Sequence, residues 1–248
     1  MSTIYLINVG ANSAHSSIAR SPRFSDGTFV FVPFPWDGDR IRRYPANCKA
    51  FVRTAALTHD DPDWPNLTYG DDCGNSRAGN LRRVSEGDIL LFWGLLWNNI
   101  GNTWLDFTGQ KGWYLLGALR VCEVLMDGQS PKHARGENVA RARRNVHFIN
   151  GVLPFGHRVF IGDPRYSTLF SHAVDLEGDR HDGLVYRTMR DKNGNRLDLN
   201  DHAKFYSYLR TCRPMWDLDV ANDRRLAGTV RDRIRRINDY DLLADICP

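Results

Sequence analysis

The chain has 248 residues, enough for one large domain or two small ones with a buried core, and we expect a single domain. No run approaches the roughly 18 apolar residues of a membrane span, and the first residues lack a signal-peptide pattern, so we expect a cytoplasmic protein without a membrane partner. The formal net charge of +4 is too small to establish nucleic-acid binding, although 28 arginines against 5 lysines would suit phosphate recognition, or reflect genome composition.

The first predicted element is a buried strand over residues 4–9, which ends in an unusually polar loop. Gly10 lets the backbone turn there, and the side chains that follow offer hydrogen-bond donors and acceptors, an imidazole and a guanidinium. The loop therefore predicts a site for a polar, anionic ligand, although Asn and Ser side chains also bind loop backbone on their own. The candidate ligand-binding residues of this loop are Asn8, Asn12, His15, Arg20 and Ser21.

A strand at 28–33 and a helix at 47–57 are predicted next, followed by an acidic loop at 57–72. Its dense carboxylates are compatible with Mg²⁺ binding or with general acid and base chemistry. The loop has no metal-ligand spacing such as HExxH, so we predict no metal ligand and no cofactor, with Mg²⁺ as the alternative. Stacking of Tyr69 on a base, with hydrogen bonding from Asp71, is the preferred interpretation.

Two further strands are predicted at 89–93 and 113–124, the first after a Gly-Asp turn and ending in the aromatic Trp93. This pattern resembles the core of the small β-barrels of the PUA-like superfamily, which includes the ASCH, EVE and YTH domains. The resemblance implies a barrel that holds a nucleic-acid base, often a modified one. A plain antiparallel sheet with aromatic core positions explains the same residues.

A basic stretch at 132–147 precedes a predicted strand at 158–161 and a second polar glycine loop at 162–167. The basic stretch is typical of a solvated face, but beside a barrel it would suit a phosphate backbone. If the strands that precede the two polar loops are neighbours in the sheet, both loops converge on one pocket. Asp163 and Ser167 are therefore added to the candidate ligand-binding residues, with Trp93 as an aromatic wall.

The last third of the chain predicts a hairpin at 182–200 with an Asn-Gly turn, a helix at 204–211 and a clear helix at 223–239. In the last helix, apolar residues recur at spacings of four, four and three and form one stripe that should dock on the body. Several arginines lie mostly off that stripe and could contact phosphates or an acidic protein partner. The stripe is Leu226, Val230, Ile234 and Ile237, and the arginines are Arg224, Arg225, Arg231, Arg235 and Arg236.

Seven short segments taken together resemble the third nucleotide-modification-associated domain family, over much of residues 1–175. The resemblance implies a component of phage and bacterial systems that handle modified DNA bases. It assigns no catalytic residue. The segments are 8–12 with His15, 21–22, 26–33, 69–71, 87–88, 112–117 and 159–162.

We therefore predict an α+β fold, with a mixed or antiparallel, partly closed PUA-like sheet, flanking helices and a C-terminal basic helix. One domain would cover 1–248, with a sheet-rich core at 1–175 and a hairpin and helical appendage at 176–248. The predicted function is recognition of a nucleotide or nucleic-acid base, in a nucleic-acid modification or phage-defence context. The alternatives are an enzyme, a hydrolase or transferase with His15 or Asp71 as acid or base, and a structural partner in a larger complex.

Overall fold

A computed structural model describes residues 2–36, 38, 42–54, 57–176 and 213–246 of the chain. The predicted hairpin at 182–200 and the predicted helix at 204–211 lie outside the described residues. Within the described residues there is no helix that combines the length and the apolar character needed to cross a membrane. The strands are β1 (Thr3–Asn8), β2 (Ser21–Arg23), β3 (Arg42–Arg43), β4 (Leu57–Thr58), β5 (Thr68–Asp72), β6 (Ile89–Asn99), β7 (Phe107–Met126), β8 (His157–Gly162), β9 (Thr168–Asp175) and β10 (Met215–Asp217).

Eight of these strands form one mixed sheet, in which six lie in the order β10, β1, β6, β7, β8, β5. β1 and β2 run parallel to β6, whereas β7 is antiparallel to β6, β8 and β9. In the described part of the chain, β10 and β5 stand at opposite ends of this order and do not pair, so the sheet is open. The predicted α+β fold with a mixed sheet is confirmed.

Successive side chains of β6 point to opposite faces of the sheet. Because nearly all of these side chains are apolar, both faces of the sheet are apolar. Ile89 and Trp93 face a core that includes Trp216, whereas Leu90 and Phe92 face a second core. Burial of both faces accounts for the long, nearly continuous apolar run in the sequence of β6.

β7 is the strand that bends the sheet, because its first part pairs with β6 and its last part with β8. A register shift between Val121 and Glu123 marks the change of partner, as β-bulges do. The β5–β8 pair consequently lies over the second core, with Phe160 and Tyr69 on its inner face. Its outer face, including Val159, packs against the short helix α1 (Asn138–Ala142).

Two predicted elements differ from the structure. Residues 28–33 form no regular strand. Val30 N donates to Pro22 O, and Val32 N donates to the Ser21 hydroxyl. These backbone N–H groups are therefore satisfied without a continuous ladder of strand pairing. The helix predicted at 47–57 is a shorter 3-10 helix, Ala46–Phe51. Its two buried residues are Cys48 and Phe51, three apart, which matches the three residues per turn of a 3-10 helix.

The predicted C-terminal helix is confirmed as α2 (Ala221–Ile237). Leu226, Val230 and Ile234 are buried, as the apolar stripe predicts, and Val230 and Ile234 belong to the first core, whereas Ile237 at the helix end is 49% exposed. β10 precedes α2 and pairs antiparallel with β1. The C-terminal segment thus completes one edge of the main sheet.

Candidate functional site

A buried group of two histidines and one aspartate is the strongest candidate for a functional site. The Nε2 atom of His147 lies 3.1 Å from Nε2 of His59 and 3.2 Å from Oδ2 of Asp61. The three ligand atoms all lie within 4.8 Å of one another, and all three residues are buried. We call this group the His-Asp centre. Buried polar groups that meet from distant parts of a chain are costly unless paired, so their convergence indicates a specific role.

A small ribbon holds His59 in place. Residues 34–36 run beside β4, with hydrogen bonds from Trp36 N to Leu57 O, 3.0 Å, and from His59 N to Phe34 O, 3.3 Å. β3 pairs with β4 on the other side. The ribbon therefore presents His59 together with the aromatic side chains of residues 34 and 36.

Asp61 is fixed by the backbone of β5. Its carboxylate accepts hydrogen bonds from Gly70 N at 3.1 and 3.0 Å. Burial nevertheless raises the pKa of the Asp61 carboxyl well above its usual range, although His59 and Gly70 act in the opposite direction. Burial and the neighbouring Asp63 also raise the pKa of Asp60, to about 6.

His147 lies against β5, at a position where the strand has no side chain. A Cβ atom added to Gly70 would lie 2.3 Å from Cδ2 of His147, so only glycine leaves room for the ring. The second ring nitrogen, Nδ1, lies 3.3 Å from Nδ1 of His157, and the backbone N–H donates to Asn145 Oδ1 at 3.0 Å. These contacts fix both the position and the rotation of the imidazole.

A second polar group lies on the opposite face of β5 from His147. The Tyr69 hydroxyl donates to Asp71 Oδ2 at 2.5 Å, and Arg213 donates to the same oxygen at 2.9 and 3.0 Å. Burial alone would raise the pKa of Asp71, but the Arg213 charge and the hydrogen bonds from Tyr69 and Arg213 act together in the opposite direction, and the pKa is lowered. Burial raises the pKa of Tyr69 well above its usual range, which keeps the hydroxyl protonated.

An aromatic surface adjoins the His-Asp centre. The Phe34 ring lies between His15 and His59, with centroid distances of 5.7 and 5.3 Å, and it is stacked on His15. Trp36 packs edge-on against Phe34 at 5.9 Å and lies 6.2 Å from the His59 ring. Because Trp36 is 45% exposed, this surface reaches solvent beside the buried centre. Burial lowers the pKa of His15, which favours its neutral, stacking form.

The polar loop after β1 mostly serves its own backbone. Asn12 caps the 3-10 helix Ser13–His15, with Oδ1 accepting from Ala14 N at 2.9 Å. Ser21 Oγ bonds to the backbone of Val32, and Asn8 Nδ2 donates to Trp93 O at 3.3 Å. The Arg20 guanidinium lies against the rings of Trp97, Trp104 and Phe107. Of these five predicted ligand-binding residues, His15 is the one whose side chain adjoins the aromatic surface.

The strands that precede the two polar loops are not neighbours, because β6 and β7 lie between β1 and β8. Ser167 Oγ accepts from Arg120 N at 3.0 Å, and Asp163 binds Arg165. Arg120 lies five residues along β7 from Leu115, the partner of Trp93, which corresponds to about 16 Å. The condition for convergence, that β1 and β8 are neighbours, is therefore not met, and a single pocket formed by both loops stays a prediction.

The two proposed stacking residues are enclosed in different cores. Trp93 is 1% exposed and packs against Trp113 at 5.2 Å, on the first face of the sheet. Tyr69 is 3% exposed and contacts Phe92 and Phe160 on the second face. The structure places Tyr69 and Asp71 together but separates both from Trp93. Their assignment as ligand-binding residues stays a prediction.

Sequence reasoning did not single out His59, Asp61, His147, His157 or Arg213. The first two lie in the acidic loop, where the His-x-Asp spacing places two potential ligands on one short segment. His147 ends the basic stretch at 132–147, and its spacing of ten residues from His157 is a second feature that could have indicated a histidine site. Chemically, the centre can bind a cation, exchange a proton with a bound molecule or polarise one.

Comparison with curated proteins and with solved structures yields no significant match. A family model does match, over residues 3–176, which is more than half of the chain. The matched region contains β1 to β9, the His-Asp centre and the aromatic surface. The chain therefore belongs to the nucleotide modification associated domain 3 family.

Proposed function

We propose that this protein recognises a nucleotide or nucleic-acid base, in the setting of nucleic-acid modification or phage defence, and that the base stacks on the aromatic surface of Phe34 and Trp36. The observation that carries the proposal is the exposed Trp36 ring beside Phe34 and the buried His59. Base–aromatic stacking contributes about 1–3 kcal/mol per base and suits any base, because every base has a π-face. Membership of the family supports a nucleotide as the ligand class.

The charges around this surface suit a nucleotide as well. Arg43 lies on β3, next to β4, and is exposed, so it can contact a phosphate. Arg42 already binds Asp63 at 3.3 Å. Asp60 is half-buried beside His59 and can accept a hydrogen bond from an exocyclic amine.

The test is binding of a panel of nucleotides, nucleosides and short oligonucleotides with normal and modified bases. Trp36→Ala should weaken binding by about 1–3 kcal/mol. Leu105→Ala is the matched control, because Leu105 is 90% exposed and lies in the 3-10 helix Trp104–Asp106, in a different segment. Equal affinities of Trp36→Ala and wild type, or binding of no member of the panel, would contradict the proposal.

A second candidate function is catalysis on the bound base, as a hydrolase or transferase. This function is favoured by the hydrogen-bond contacts of His147 with His59 and Asp61. Side chains of these types can transfer a proton to or from a reacting base. Turnover of the panel by wild type, reduced about 10²- to 10⁴-fold in His147→Gln, would support an enzyme. Binding without consumption of any panel member would leave recognition as the function.

A further inference from the structure

We propose that His59, Asp61 and His147 bind a divalent first-row transition-metal ion. The sequence predicted no metal ligand because the third ligand lies 86 residues after the His-x-Asp pair, a separation that no short motif covers. The proposal concerns the ion alone and does not depend on which nucleotide the protein recognises.

The ligand separations fit such an ion. Nitrogen and carboxylate ligands lie about 2.0–2.2 Å from Zn²⁺, so neighbouring ligands of one ion are about 3.0–3.5 Å apart. The observed separations from His147 Nε2 are 3.1 Å to His59 and 3.2 Å to Asp61. The largest separation in the group is within 4.8 Å, so a closure of up to about 1.3 Å, shared between two side chains, would bring all three atoms to one ion.

The positions of the three atoms also suit one shared ion. His147 Nε2 lies within hydrogen-bond distance of both other ligand atoms, yet an imidazole nitrogen carries at most one proton. That proton can point well at only one of the two partners. A metal ion placed between the three atoms accepts a lone pair from each of them.

The surrounding contacts are those of a supported metal site. In metal sites, the second nitrogen of a histidine ligand and the ligating carboxylate are held by further hydrogen bonds. Here His157 lies against the second nitrogen of His147, and Gly70 N donates to the Asp61 carboxylate. Gly70 also leaves the space that the His147 ring occupies. Each of two ligands is thus oriented by a neighbour that is not itself a ligand.

The ligand set indicates the class of ion. Imidazole suits Zn, Fe, Cu and Ni, whereas Mg²⁺ prefers oxygen ligands, so two histidines argue against Mg²⁺. Two histidines and one carboxylate leave coordination positions open, as in catalytic zinc sites and in non-haem Fe(II) sites. Those positions would be available to water or to a ligand on the adjacent aromatic surface.

The test measures metal content and Co²⁺ binding by the full chain, with no nucleotide present. Protein purified without chelator should contain about one equivalent of transition metal, measured by elemental analysis. After removal of metal with EDTA, one equivalent of Co²⁺ should produce a saturable visible absorption band. Zn²⁺ should compete for the same site and raise the Tm, because an ion that binds only the folded chain stabilises it.

The variants form a graded series. Removal of an outer contact by His157→Ala should weaken Co²⁺ binding about 10- to 100-fold. Asp61→Asn and His147→Gln, which remove ligands at similar volume, should weaken it more than that. His133→Ala is the control, because His133 is an exposed histidine in the 3-10 helix Pro131–His133, outside the centre.

The titration of metal-free wild type decides the proposal even if a ligand variant does not fold. Absence of the Co²⁺ band and of any Zn²⁺-dependent rise in Tm would overturn the metal site. Unchanged Co²⁺ affinity in folded Asp61→Asn and His147→Gln would do the same. If the proposed base recognition is wrong and the metal site is right, Trp36→Ala will have the nucleotide affinity of wild type and metal binding will be intact.

Discussion

Two polar regions of this protein differ in how far along the chain the hydrogen-bond partners of their side chains lie. In the loop after β1, Asn12, Arg20 and Ser21 bind backbone groups within about a dozen residues of themselves. In the His-Asp centre, His59 and His147 are 88 residues apart and bond to each other. The dense polar cluster after β1 is therefore explained by local capping and turn formation. Long-range convergence of a few buried polar side chains is the better indicator of a site.

The largest effect is expected on the other face of β5, at the largely buried ion pair between Asp71 and Arg213, whose side chains are each 14% exposed. Asp71→Asn leaves the Arg213 charge without its carboxylate, and breaking such a pair should cost about 3–5 kcal/mol of unfolding free energy. Asp163→Asn is the control, since Arg165 in that pair is largely exposed and such a pair contributes about 0–1 kcal/mol. Denaturant melts of both variants measure the loss of unfolding free energy. Equal losses in the two variants would contradict the predicted difference between the two carboxylates.

The same pair predicts a pH dependence. Because Arg213 lowers the pKa of Asp71 in the folded state, the carboxylate adds stability above its unfolded pKa of about 3.9. That stability is lost as the pH falls through the lower, folded value. The difference in unfolding free energy between wild type and Asp71→Asn should be constant near neutrality and shrink below about pH 4. A difference that grows in acid would contradict the assignment.

A second expected effect concerns the glycine under His147. In Gly70→Ala the new Cβ would overlap the imidazole, and overpacking of this kind costs about 1–3 kcal/mol. The displaced ring should also weaken Co²⁺ binding. Gly228→Ala in α2 is the matched control, because a Cβ there meets open space and should stabilise the helix by about 0.5–1 kcal/mol. Gly70→Ala with wild-type stability and metal affinity would show that the ring position is unimportant.

A smaller effect is expected in the polar loop. Asn12→Ala removes the cap of a single 3-10 turn and should cost about 0.5–2 kcal/mol of stability, with no change in metal content. Thermal melts and nucleotide binding measured on the same preparation separate the two roles. Loss of nucleotide binding without loss of stability would show that the loop is a ligand site after all.

The smallest effect is expected at His15. Its ring stacks on Phe34, and aromatic pairs contribute about 0.5–1.5 kcal/mol, so His15→Ala should reduce stability or base affinity by no more than that. Nucleotide affinity and any turnover are the measurements. A fall of about 10² to 10⁴ in turnover would instead identify His15 as a general base.

Much of the fold could be predicted because the relevant signals are local. The apolar runs of β1, β6 and β8 and the stripe of α2 identify those elements directly. The bend in β7 depends on three different partner strands and leaves no periodic signal.

The candidate site could be predicted only in part. The acidic loop indicated acid and base chemistry, but no property of His147 in the sequence shows that it meets Asp61. Arg213 lies far from every recognised motif and reaches Asp71 only through the fold. Pairings of this kind are set by strand order and packing, which a single sequence does not encode in short patterns.

The placement of β10 affects how the protein should be handled as a recombinant fragment. The family match ends at residue 176, yet β10 covers the outer side of β1, and Leu6 N donates to Pro214 O at 2.8 Å. A fragment cut at residue 176 would expose β1 as an apolar edge strand, a known template for aggregation. It would also leave the largely buried Asp71 carboxylate without Arg213. The boundary of sequence similarity thus leaves out a strand of the main sheet and the partner of Asp71.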